Sequence, residues 1–463
     1  MENKTVPAEP YVPADTEVLA HLHSEMDYMA TLFPMAHSVH QAHGEMTVSR
    51  LRALQHGLLS EQLAHSGKFV PFYSELLAAY SVDADPFETL SRLPLLDKAT
   101  VRSSMVDLCS DDLDPVTCRA AQTSGTSGIP LKILHDENHL IHLHAARLRY
   151  NLERGLSNHY KMLMPFQNWF HGWVEYTDAS IGLARVAQFG TPGLEADRVG
   201  ELVEKAILFA PDMIFGHPSQ CVELARALET TSAPRMAPKV VVTFGERLLP
   251  AARALMTDVF QARVVDTYGM REFGTIAAEC VEGRYHITGE RLWVEVVDED
   301  GMPVDDGQAG ELVVTNLTNR AMPLLRYRTG DIGALAAEPC PCGSPYKTLK
   351  LLEGRDLPAI ELPDGRSVPI GVLARTVRTH PVERFQVVQY ADDRVEIRLA
   401  GAGKPVDLQA VADAVARVTG PSVAVSARLI AIDDFISSRL RKHVDAIRVR
   451  AHTPTPPGPV AHA

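Results

Sequence analysis

The sequence has few cysteines for its length and no long apolar run. Its 463 residues include six cysteines, too few for the disulfide framework that stabilises small secreted domains. No stretch approaches the roughly 18 apolar residues that a membrane-spanning helix needs. The first residues, MENKTVPAEPYVPADTEV, show neither the apolar core of a signal peptide nor an Arg-rich amphipathic pattern. We therefore expect a cytoplasmic protein that does not associate with membranes.

The chain also lacks an excess of positive charge. It carries 45 lysines and arginines against 58 aspartates and glutamates, which gives a formal net charge of −13. Binding to the phosphate backbone of a nucleic acid depends on a basic surface, so no nucleic-acid partner is expected. An acidic protein can still bind a nucleotide, because backbone N–H groups and Mg²⁺ hold phosphates locally.

Hydrophobic periodicity divides the chain into a large and a small region. Helical patterning over 14–65 gives way, from about 115 to 355, to short apolar strands that alternate with amphipathic helices. This alternation predicts a largely parallel sheet covered by helices on both faces, and residues 291–317 add a β-rich part of two strands joined through a turn and a loop. The segment after 355, about 95 residues long, is sufficient for a small α+β domain. The predicted fold class is therefore α/β, with a large N-terminal domain over 1–355 (its helical lead-in over 1–65), a small mobile domain over 356–450 and a disordered Pro-rich tail over 451–463.

The first motif with chemical content is TSGTSGIP, at residues 123–130. Its small hydroxylated residues and two glycines permit the tight curvature that lets N–H groups and hydroxyls surround phosphate oxygens. It lacks the Gly-Lys-Ser/Thr ending of a Walker A loop. Taken alone, the motif is equally typical of a surface turn rich in Ser, Thr and Gly.

Two further motifs follow in order along the chain. Residues 266–274, DTYGMREFG, come after an apolar pair and are placed at a strand end, where an aromatic ring can stack on a base and a carboxylate can reach Mg²⁺. A plain strand-to-helix turn is the alternative there.

The third motif, residues 311–331, ends in RYRTGD. A loop carboxylate at Asp331 can accept hydrogen bonds from both ribose hydroxyls, and Arg328 can pair with a phosphate. The alternative is that these loop charges are merely solvated.

The three motifs, in this order, resemble the core motifs of the adenylate-forming (ANL) superfamily, and in particular its phenylacetate-CoA ligase-like branch. In that branch the phosphate loop resembles SSGTTGxP, the second motif YGxTE and the third TxLxxxAMPLIRYRTGD. The similarity also includes PLLDK at 94–98, GHPS at 216–219 and GERL at 245–248. It covers roughly residues 65–355 well and the remainder poorly.

The resemblance implies an ATP-using, AMP-forming ligase that requires Mg²⁺. It implies that Ser124, Gly125, Thr126, Ser127 and Gly128 hold the ATP phosphates. It also implies that Gly245 and Glu246 lie along the adenine, that Tyr268 stacks near it beside Gly269, and that Asp331 binds the ribose. Glu272 would ligate Mg²⁺ and Arg328 would approach the phosphate.

The small domain departs from the family pattern. Relatives carry a lysine near the chain end that contacts the α-phosphate; here Arg439 aligns with that position and Lys442 follows three residues later. Either residue can serve as the catalytic cation, or the run is only the basic face of a terminal helix. The hinge keeps Asp356 but shortens the usual Arg-x-Asp-Asp, and domain rotation depends on such a hinge. These departures leave the acceptor of the activated group open.

Four cysteine and histidine residues predict a metal site. Cys280 and His286 are spaced C-x5-H, and Cys340 and Cys342 form a C-x-C pair followed by glycine. Three thiolates and one imidazole complete a tetrahedral Zn²⁺ shell without an open position, so such a site is structural. The phenylacetate-CoA ligase-like branch carries a similar set, and the alternative is four unrelated buried side chains. The remaining cysteines, which have no partner pattern, are predicted to lie in the core: Cys109, Cys118 and Cys221.

Aromatic residues indicate where the acid substrate would bind. Trp169, Phe170 and His171 follow one predicted strand, and Phe215 and His217 flank the end of another. Such side chains can line an acid-binding pocket, although an aromatic stripe is also typical of a core. An aryl or unsaturated carboxylic acid is the expected substrate, which rests mainly on the resemblance. The family commonly passes the acyl adenylate to coenzyme A.

Four functions stay open at this point. The leading hypothesis is an acid ligase that makes an adenylate and then a thioester of coenzyme A. Two variants keep the adenylation chemistry but use an amine acceptor, or activate nitrite to diazotise an aryl amine. The fourth is a nucleotide-binding regulatory protein, which the intact Glu272 and Asp331 argue against and the substitution at Arg439 favours. The sequence does not define the oligomeric state, with a homodimer as one option.

Overall fold

The computed structural model of the chain describes most of its residues. The described residues are 16–79, 81, 84–122, 131–157, 159–167, 172–178, 184–190, 196–229, 236–353, 359–363, 367–369, 373, 376–377, 380, 382–390, 394–401, 405–430 and 446–448. The chain divides into two compact units, Met1–Ala121 with Ile133–Gly354, and Gln122–Lys132 with Arg355–Ala463. The domain boundaries predicted after residues 355 and 450 stay predictions.

The larger unit begins with helices, as the periodicity over 14–65 predicts. The elements are α1 (Thr16–His43), α2 (Val48–Phe69), α3 (Pro71–Ser74), α4 (Pro86–Arg92), α5 (Lys98–Ser103) and a 3₁₀ turn at Pro115–Thr117. Three helix starts have a local cause, because the side chains of Thr47, Asp85 and Asp97 each accept a backbone N–H at the first turn of α2, α4 and α5. The cap at Asp97 places Lys98 at the first position of α5.

A twelve-stranded sheet forms the centre of this unit. Two short strands, β1 (Arg119–Gln122) and β2 (Lys132–His135), pair with each other outside this sheet. The twelve strands of the sheet are β3 (Lys161–Gln167), β4 (Gly172–Asp178), β5 (Ala184–Gly190), β6 (Met213–Gly216), β7 (Val240–Phe244), β8 (Arg263–Met270), β9 (Gly274–Glu279), β10 (Tyr285–Ile287), β11 (Leu292–Val297), β12 (Gly310–Asn316), β13 (Tyr327–Leu335) and β14 (Thr348–Glu353). The helices between them are α6 (Glu137–Glu153), α7 (Ala196–Phe209), α8 (Pro218–Glu229) and α9 (Pro250–Phe260). The strand order is β11-β12-β13-β14-β10-β9-β8-β7-β6-β3-β5-β4.

The sheet has a parallel half and an antiparallel half. Strands β5, β3, β6, β7 and β8 pair in parallel in that order. The remaining pairings are antiparallel, and they include the predicted pair of β11 with β12. In the parallel half Val241 packs in one hydrophobic cluster with α7, α8 and α9, whereas Val240 and Val242 belong to a second cluster. Both faces are therefore covered, which explains why this strand is apolar along its whole length.

The smaller unit has its own core. Its elements are β15 (Ala359–Glu361), β16 (Ser367–Pro369), β17 (Val382–Gln389), β18 (Val395–Gly401), α10 (Leu408–Thr419), β19 (Val425–Leu429) and β20 (Ala446–Arg448). The last four strands form a sheet in the order β19-β18-β17-β20. Helix α10, capped by Asp407, buries Val411 and Val415 in a cluster that includes Phe385 and Ile397 of this sheet. The predicted fold class, α/β with a β-rich part and a small α+β domain, is confirmed.

Candidate active site and metal centre

The second sequence motif lies in a hairpin. Strand β8 continues to Met270 and β9 begins at Gly274, antiparallel to it. The expectations of a strand end, or a strand-to-helix turn, after Val265 were therefore wrong. Gly269 makes the close approach possible, because a Cβ at this position would lie 2.5 Å from the carbonyl oxygen of Gly274. Glu272 lies in the turn between the two strands.

Glu272 is a buried carboxylate with two partners. Its side chain is 2% exposed, and its Oε1 accepts a hydrogen bond from the Tyr327 hydroxyl at 3.1 Å. The same oxygen lies 3.3 Å from Nζ of Lys98. Burial of a carboxylate is costly unless a cation and hydrogen bonds compensate it, and Lys98 and Tyr327 supply both. Lys98 ends the segment PLLDK at 94–98, which resembles the family but carries no predicted role.

Backbone pairing with β13 places Lys98 beside Glu272. The N–H of Leu96 donates to the carbonyl of Arg326 at 3.0 Å, and the N–H of Arg328 donates to the carbonyl of Leu96 at 2.9 Å. Leu96 thus forms a parallel bridge with Tyr327. The buried Arg326 side chain strengthens this pairing by donating to the carbonyls of Ser91 and Leu93 at 2.9 and 2.8 Å.

Asp331 and Arg328 lie in a strand, so the loop expected for them was wrong. Both belong to β13, which pairs with β12 on one side and β14 on the other. Asp331 is 4% exposed, and its Oδ2 accepts a hydrogen bond from the Tyr268 hydroxyl at 2.7 Å. The Asp331 N–H donates to Oγ1 of Thr329 at 3.0 Å, which fixes the backbone before the carboxylate.

The sheet curves so that the second and third motifs meet. In the hydrogen-bonded order, β8 and β13 are separated by β9, β10 and β14. Two side-chain hydrogen bonds nevertheless join β8 and the turn after it to β13, one from Tyr268 to Asp331 and one from Tyr327 to Glu272. Tyr268 and Glu272 of the second motif and Asp331 of the third are therefore brought into one site.

Arg328 is paired with a carboxylate of the protein. Its Nε lies 2.8 Å from Oε2 of Glu311, and its Nη2 contacts the same oxygen. The hydrogen bond to Glu311 raises the pKa of Arg328 above its usual value. Glu311 also accepts the Gly330 N–H at 3.2 Å, so it connects the guanidinium to the backbone of the RTGD segment. The predicted phosphate contact of Arg328 stays a prediction.

Phe215 and His217 lie at the carboxyl end of β6, beside Phe244 at the carboxyl end of β7. The rings of Phe215 and Phe244 stack with centroids 4.5 Å apart, and Nδ1 of His217 lies 2.9 Å from the carbonyl oxygen of Phe244. Gly245 has a φ of +76°, and a Cβ there would lie 2.7 Å from the His217 ring. Glycine is therefore required at 245 both by its conformation and by its neighbour.

Glu246 is held at the same edge of the sheet. Its carboxylate accepts hydrogen bonds from the backbone N–H of Ser219 at 3.1 Å and from the Ser219 hydroxyl at 3.0 Å. Strands β6 and β7 are adjacent and parallel, so their carboxyl ends lie side by side. This is the edge at which ligands bind in α/β sheets.

Several predicted site residues fall outside the described part of the chain. They are Ser124, Gly125, Thr126, Ser127 and Gly128 of the phosphate loop, Trp169, Phe170 and His171 of the substrate group, the hinge residue Asp356, and the cations Arg439 and Lys442. Their roles stay predictions.

The four predicted metal ligands converge. Their donor atoms, on Cys280, His286, Cys340 and Cys342, all lie within 4.8 Å of one another. The sulfurs of Cys280 and Cys340 are 3.7 Å apart, and Cys342 Sγ lies 3.2 Å from His286 Nε2. Around a tetrahedral Zn²⁺, bonds of about 2.3 Å to sulfur and 2.0 Å to nitrogen separate two sulfurs by about 3.8 Å and a sulfur from a nitrogen by about 3.5 Å. The sulfur pair matches this separation, and the sulfur–nitrogen pair is slightly closer. A disulfide, at about 2.05 Å, does not match the sulfur separation.

Two tight turns present the cysteines. The N–H of Gly283 donates to the carbonyl of Cys280 and the N–H of Gly343 to that of Cys340, each at 3.1 Å. These glycines have φ values of +67° and +80°, a region that favours glycine. The Glu282 N–H also donates to the Cys280 sulfur at 3.3 Å, which stabilises a thiolate.

The orientation of His286 suits a metal ligand. Its Nδ1 lies 2.7 Å from the carbonyl oxygen of Tyr346, which can only accept, so Nδ1 carries the hydrogen. In the neutral ring Nε2 is then the basic nitrogen, and it faces the cysteine sulfurs. Metal-bound histidines usually have such a partner on the other ring nitrogen.

The other cysteines follow the core prediction only in part. Cys221 is completely buried, as expected. Cys109 and Cys118 are half-buried, so the core assignment was wrong for them. Each follows a short helical turn, where its thiol lies near the backbone oxygen four residues earlier instead of packing in a core.

Sequence comparison finds relatives among AMP-binding enzymes. The AMP-binding enzyme family matches residues 116–319. A phenylacetate-coenzyme A ligase of Thermus thermophilus is 30% identical over 322 residues, which are 66% of this chain and 70% of that protein. The phenylacetate-coenzyme A ligase of Escherichia coli is 29% identical over 309 residues, 62% and 68% of the two chains.

A solved structure shares the fold. A 2-hydroxyisobutyryl-CoA ligase, crystallised with 2-HIB-AMP and CoA, superimposes with a TM-score of 0.59 at 17% identity, over 86% of this chain and 90% of that one. The larger unit and the convergence of its two motifs define an ATP-binding, AMP-forming acid ligase. The chain belongs to the adenylate-forming (ANL) superfamily, in its phenylacetate-CoA ligase-like branch. Among the described helices, none has the length and apolarity to cross a bilayer.

Proposed function

We propose that the protein activates an aryl or unsaturated carboxylic acid as an acyl adenylate and transfers the acyl group to coenzyme A. The observation that carries this proposal is the meeting of β8 and β13 through the Tyr268–Asp331 and Tyr327–Glu272 hydrogen bonds. The half-buried ring of Tyr268 and the buried carboxylates of Asp331 and Glu272 offer separate contacts for a base, a ribose and a metal–phosphate group.

In this proposal Asp331 binds the ribose. One of its oxygens already accepts from Tyr268, but an ionised carboxylate has about four acceptor positions and can also receive ribose hydroxyls. Tyr268 would then stack near the adenine, with Gly269 beside it and Gly245 and Glu246 along its edge. The Tyr268–Asp331 bond fixes the distance between the base and sugar positions.

Glu272 is the proposed Mg²⁺ ligand. Mg²⁺ is usually bound by one or two carboxylates together with substrate phosphates, and a buried carboxylate already compensated by one cation suits this role. When bound, the ion would neutralise charge on the phosphates and on the leaving pyrophosphate. The phosphate-loop residues Ser124, Gly125, Thr126, Ser127 and Gly128 would surround the remaining oxygens.

The proposed reaction has two steps. A carboxylate oxygen of the acid attacks the α-phosphorus of ATP, and the bond to the bridging oxygen breaks to release pyrophosphate. The coenzyme A thiol then attacks the acyl carbon, AMP leaves and the thiol proton passes to solvent. The protein positions the reactants and stabilises charge, without a covalent nucleophile. Arg328, Arg439 and Lys442 are the proposed cations near the phosphate, and rotation about Asp356 would follow adenylation.

Aromatic side chains support an aryl or unsaturated acid. Phe215 and Phe244 stack at the edge where Glu246 lies, and His217 contacts the same ring. Trp169, Phe170 and His171 would complete the proposed pocket. The two related ligases are named for phenylacetate, which is an aryl acid.

We further propose a structural Zn²⁺ bound by Cys280, His286, Cys340 and Cys342. Three sulfurs and one nitrogen complete four-coordination and leave no position for a substrate. The ion would therefore hold the β9–β10 turn to the segment before β14, and would take no part in the reaction.

An acceptor panel tests the proposed function. Purified protein is incubated with Mg²⁺, ATP and a set of aryl, unsaturated and aliphatic acids, each with coenzyme A, an amine or no acceptor, and separately with nitrite and an aryl amine. AMP and the acylated product are measured by mass spectrometry. Thioester formation with an aryl or unsaturated acid is expected. Amide or diazonium products would replace the coenzyme A assignment, and ATP binding without AMP in any mixture would favour a regulatory protein.

A further inference from the structure

Arg291 is the largest fully buried side chain among the described residues. It lies between β10 and β11, and its Nη2 donates to the carbonyl oxygens of Phe273 at 2.5 Å and Thr275 at 2.7 Å. Within the described part of the chain, its Nε and Nη1 have no hydrogen-bond partner. This guanidinium is thus directed at the backbone of the β8–β9 turn.

A buried charge whose hydrogen bonds go only to carbonyls is costly to keep. Burial lowers the pKa of Arg291 to about 10, so the group is still protonated at neutral pH. A cation in such a place is destabilising compared with an apolar side chain of similar volume, because two of its nitrogens, with three N–H groups, lose their water without replacement. Its presence is explained if the backbone that it holds must keep a defined geometry.

The backbone that Arg291 holds is the turn that carries Glu272. Phe273 directly follows Glu272, and its N–H donates to the carbonyl of Met270 at 3.1 Å to close the turn. The carbonyl of Glu272 itself lies 3.3 Å from Nε2 of His135. A carbonyl oxygen can only accept a hydrogen bond, so Nε2 of His135 is the donor in this contact. Buried donors therefore hold the peptide groups on the carboxyl side of Glu272.

We propose that Arg291 is a positioning residue that fixes the Glu272 turn for the magnesium ion bound with ATP. The inference rests on the proposed function, because it takes Glu272 as the Mg²⁺ ligand. A single nitrogen with two hydrogens bridges the carbonyls of Phe273 and Thr275, so the planar guanidinium sets both peptide planes at once. Lysine has a shorter reach and a strongly hydrated ammonium, and it cannot reproduce this arrangement.

The test compares ATP binding with and without magnesium. ATP is titrated calorimetrically into the wild type, Arg291→Lys and Arg291→Met, each in MgCl₂ and in EDTA, and the melting temperature of each variant is recorded. Arg149→Met is the matched control, because Arg149 is an arginine with only 13% of its side chain exposed whose described ion pairs are with Glu290 and Glu153 and not with Glu272. Loss of an outer support of a metal ligand commonly lowers metal affinity 10- to 100-fold.

The expected result is specific to magnesium. Both Arg291 variants should lose at least about tenfold of the ATP affinity that Mg²⁺ adds, with little change in EDTA, whereas Arg149→Met should keep the wild-type ratio at a similar melting temperature. An unchanged ratio in Arg291→Lys, or an equal loss in Arg149→Met, would overturn the proposal. If Arg291→Met does not fold, Arg291→Lys decides.

The same experiments distinguish failure of the Arg291 proposal from failure of the proposed function. If wild-type ATP binding is insensitive to Mg²⁺, the role of Glu272 is wrong and the assignment of Arg291 falls with it. If Mg²⁺ strengthens ATP binding but no acid yields AMP, only the ligase proposal fails.

Discussion

Removing one ligand of the cysteine–histidine cluster should release its metal and destabilise the larger unit. The change is Cys342→Ser, which leaves the thiols of Cys280 and Cys340 and the imidazole of His286 with an incomplete shell. The ion would join Cys280 to Cys340 across 60 positions of sequence. Loss of the ion therefore removes the cross-link that closes the loop between Cys280 and Cys340.

The size of this loop sets the expected magnitude. In the chain-entropy treatment of a covalent cross-link, closing 60 residues is worth about 4 kcal/mol at 25 °C. For a unit of several hundred residues, 1 kcal/mol corresponds to about 2 °C of melting temperature, so a decrease on the order of 5–10 °C is expected.

The assay pairs metal content with thermal unfolding. Wild-type protein should contain one zinc per chain by mass spectrometry of the metal, and Cys342→Ser should contain none and melt earlier. Cys109→Ser is the matched control, since Cys109 is half-buried and lies outside the cluster. Zinc-free wild-type protein that was purified without chelator, or a melting temperature unaffected by Cys342→Ser, would refute the metal assignment.

Three other changes give direct readings. Asp331→Ala should weaken ATP binding at least about 100-fold in calorimetry, because two charge-assisted hydrogen bonds of about 1.5–3 kcal/mol each are lost; unchanged affinity would remove Asp331 from the ribose site. Lys98→Met should lower the unfolding free energy in urea by about 3–5 kcal/mol by leaving Glu272 buried without its cation, and an effect below about 1 kcal/mol would contradict the pairing. Acid should destabilise the fold through buried histidines: burial lowers the pKa of His135 to about 4 and that of His144 to about 3, from an ordinary value of 6.5, so the unfolded chain binds these protons first. Each histidine should therefore leave the free energy of unfolding unchanged above about pH 6.5 and lower it by about 1.4 kcal/mol per pH unit below that, until its folded pKa is reached. In urea unfolding, His144→Gln should reduce the loss of unfolding free energy between pH 7 and 5, and an unchanged slope would refute this.

Apolar strands were predictable from sequence, whereas polar stretches of strand were not. The run Val240–Phe244 is a strand whose hydrophobic residues face two clusters, which the pattern shows directly. The continuation of β8 through Asp266 and Thr267 looks loop-like in the sequence. In the structure Thr243 donates to Asp266 at 2.5 Å and Thr267 donates to the carbonyl of Thr243 at 2.7 Å. Once its polar side chains are satisfied in this way, a buried strand tolerates them.

The residues of the candidate site were also predictable only in part. Tyr268, Glu272 and Asp331 could be selected from sequence because each lies in a motif that resembles the family. Lys98 lies in the similar segment PLLDK and Arg291 in no motif, but neither could be assigned a role, because their relation to the Glu272 turn arises from the curvature of the sheet and from pairing between distant segments. No local pattern distinguishes an arginine that holds two carbonyls from one that is exposed to solvent.

The metal ligands could be predicted from the sequence for a different reason. Glycine three residues after Cys280 and one residue after Cys342 indicates the tight turns that the structure contains. The pairing of the two turns, by contrast, depends on β10 lying beside β14, which the sequence does not specify.

The central claim, formation of an acyl adenylate, is tested most directly by exchange of labelled pyrophosphate into ATP. This measurement requires the acid and Mg²⁺ but no acceptor, so it isolates the adenylation step from the identity of the second nucleophile. The account predicts exchange that depends on an aryl or unsaturated acid and is reduced at least about 100-fold in Glu272→Gln. Absence of exchange with every acid, in wild-type protein that binds ATP, would contradict it.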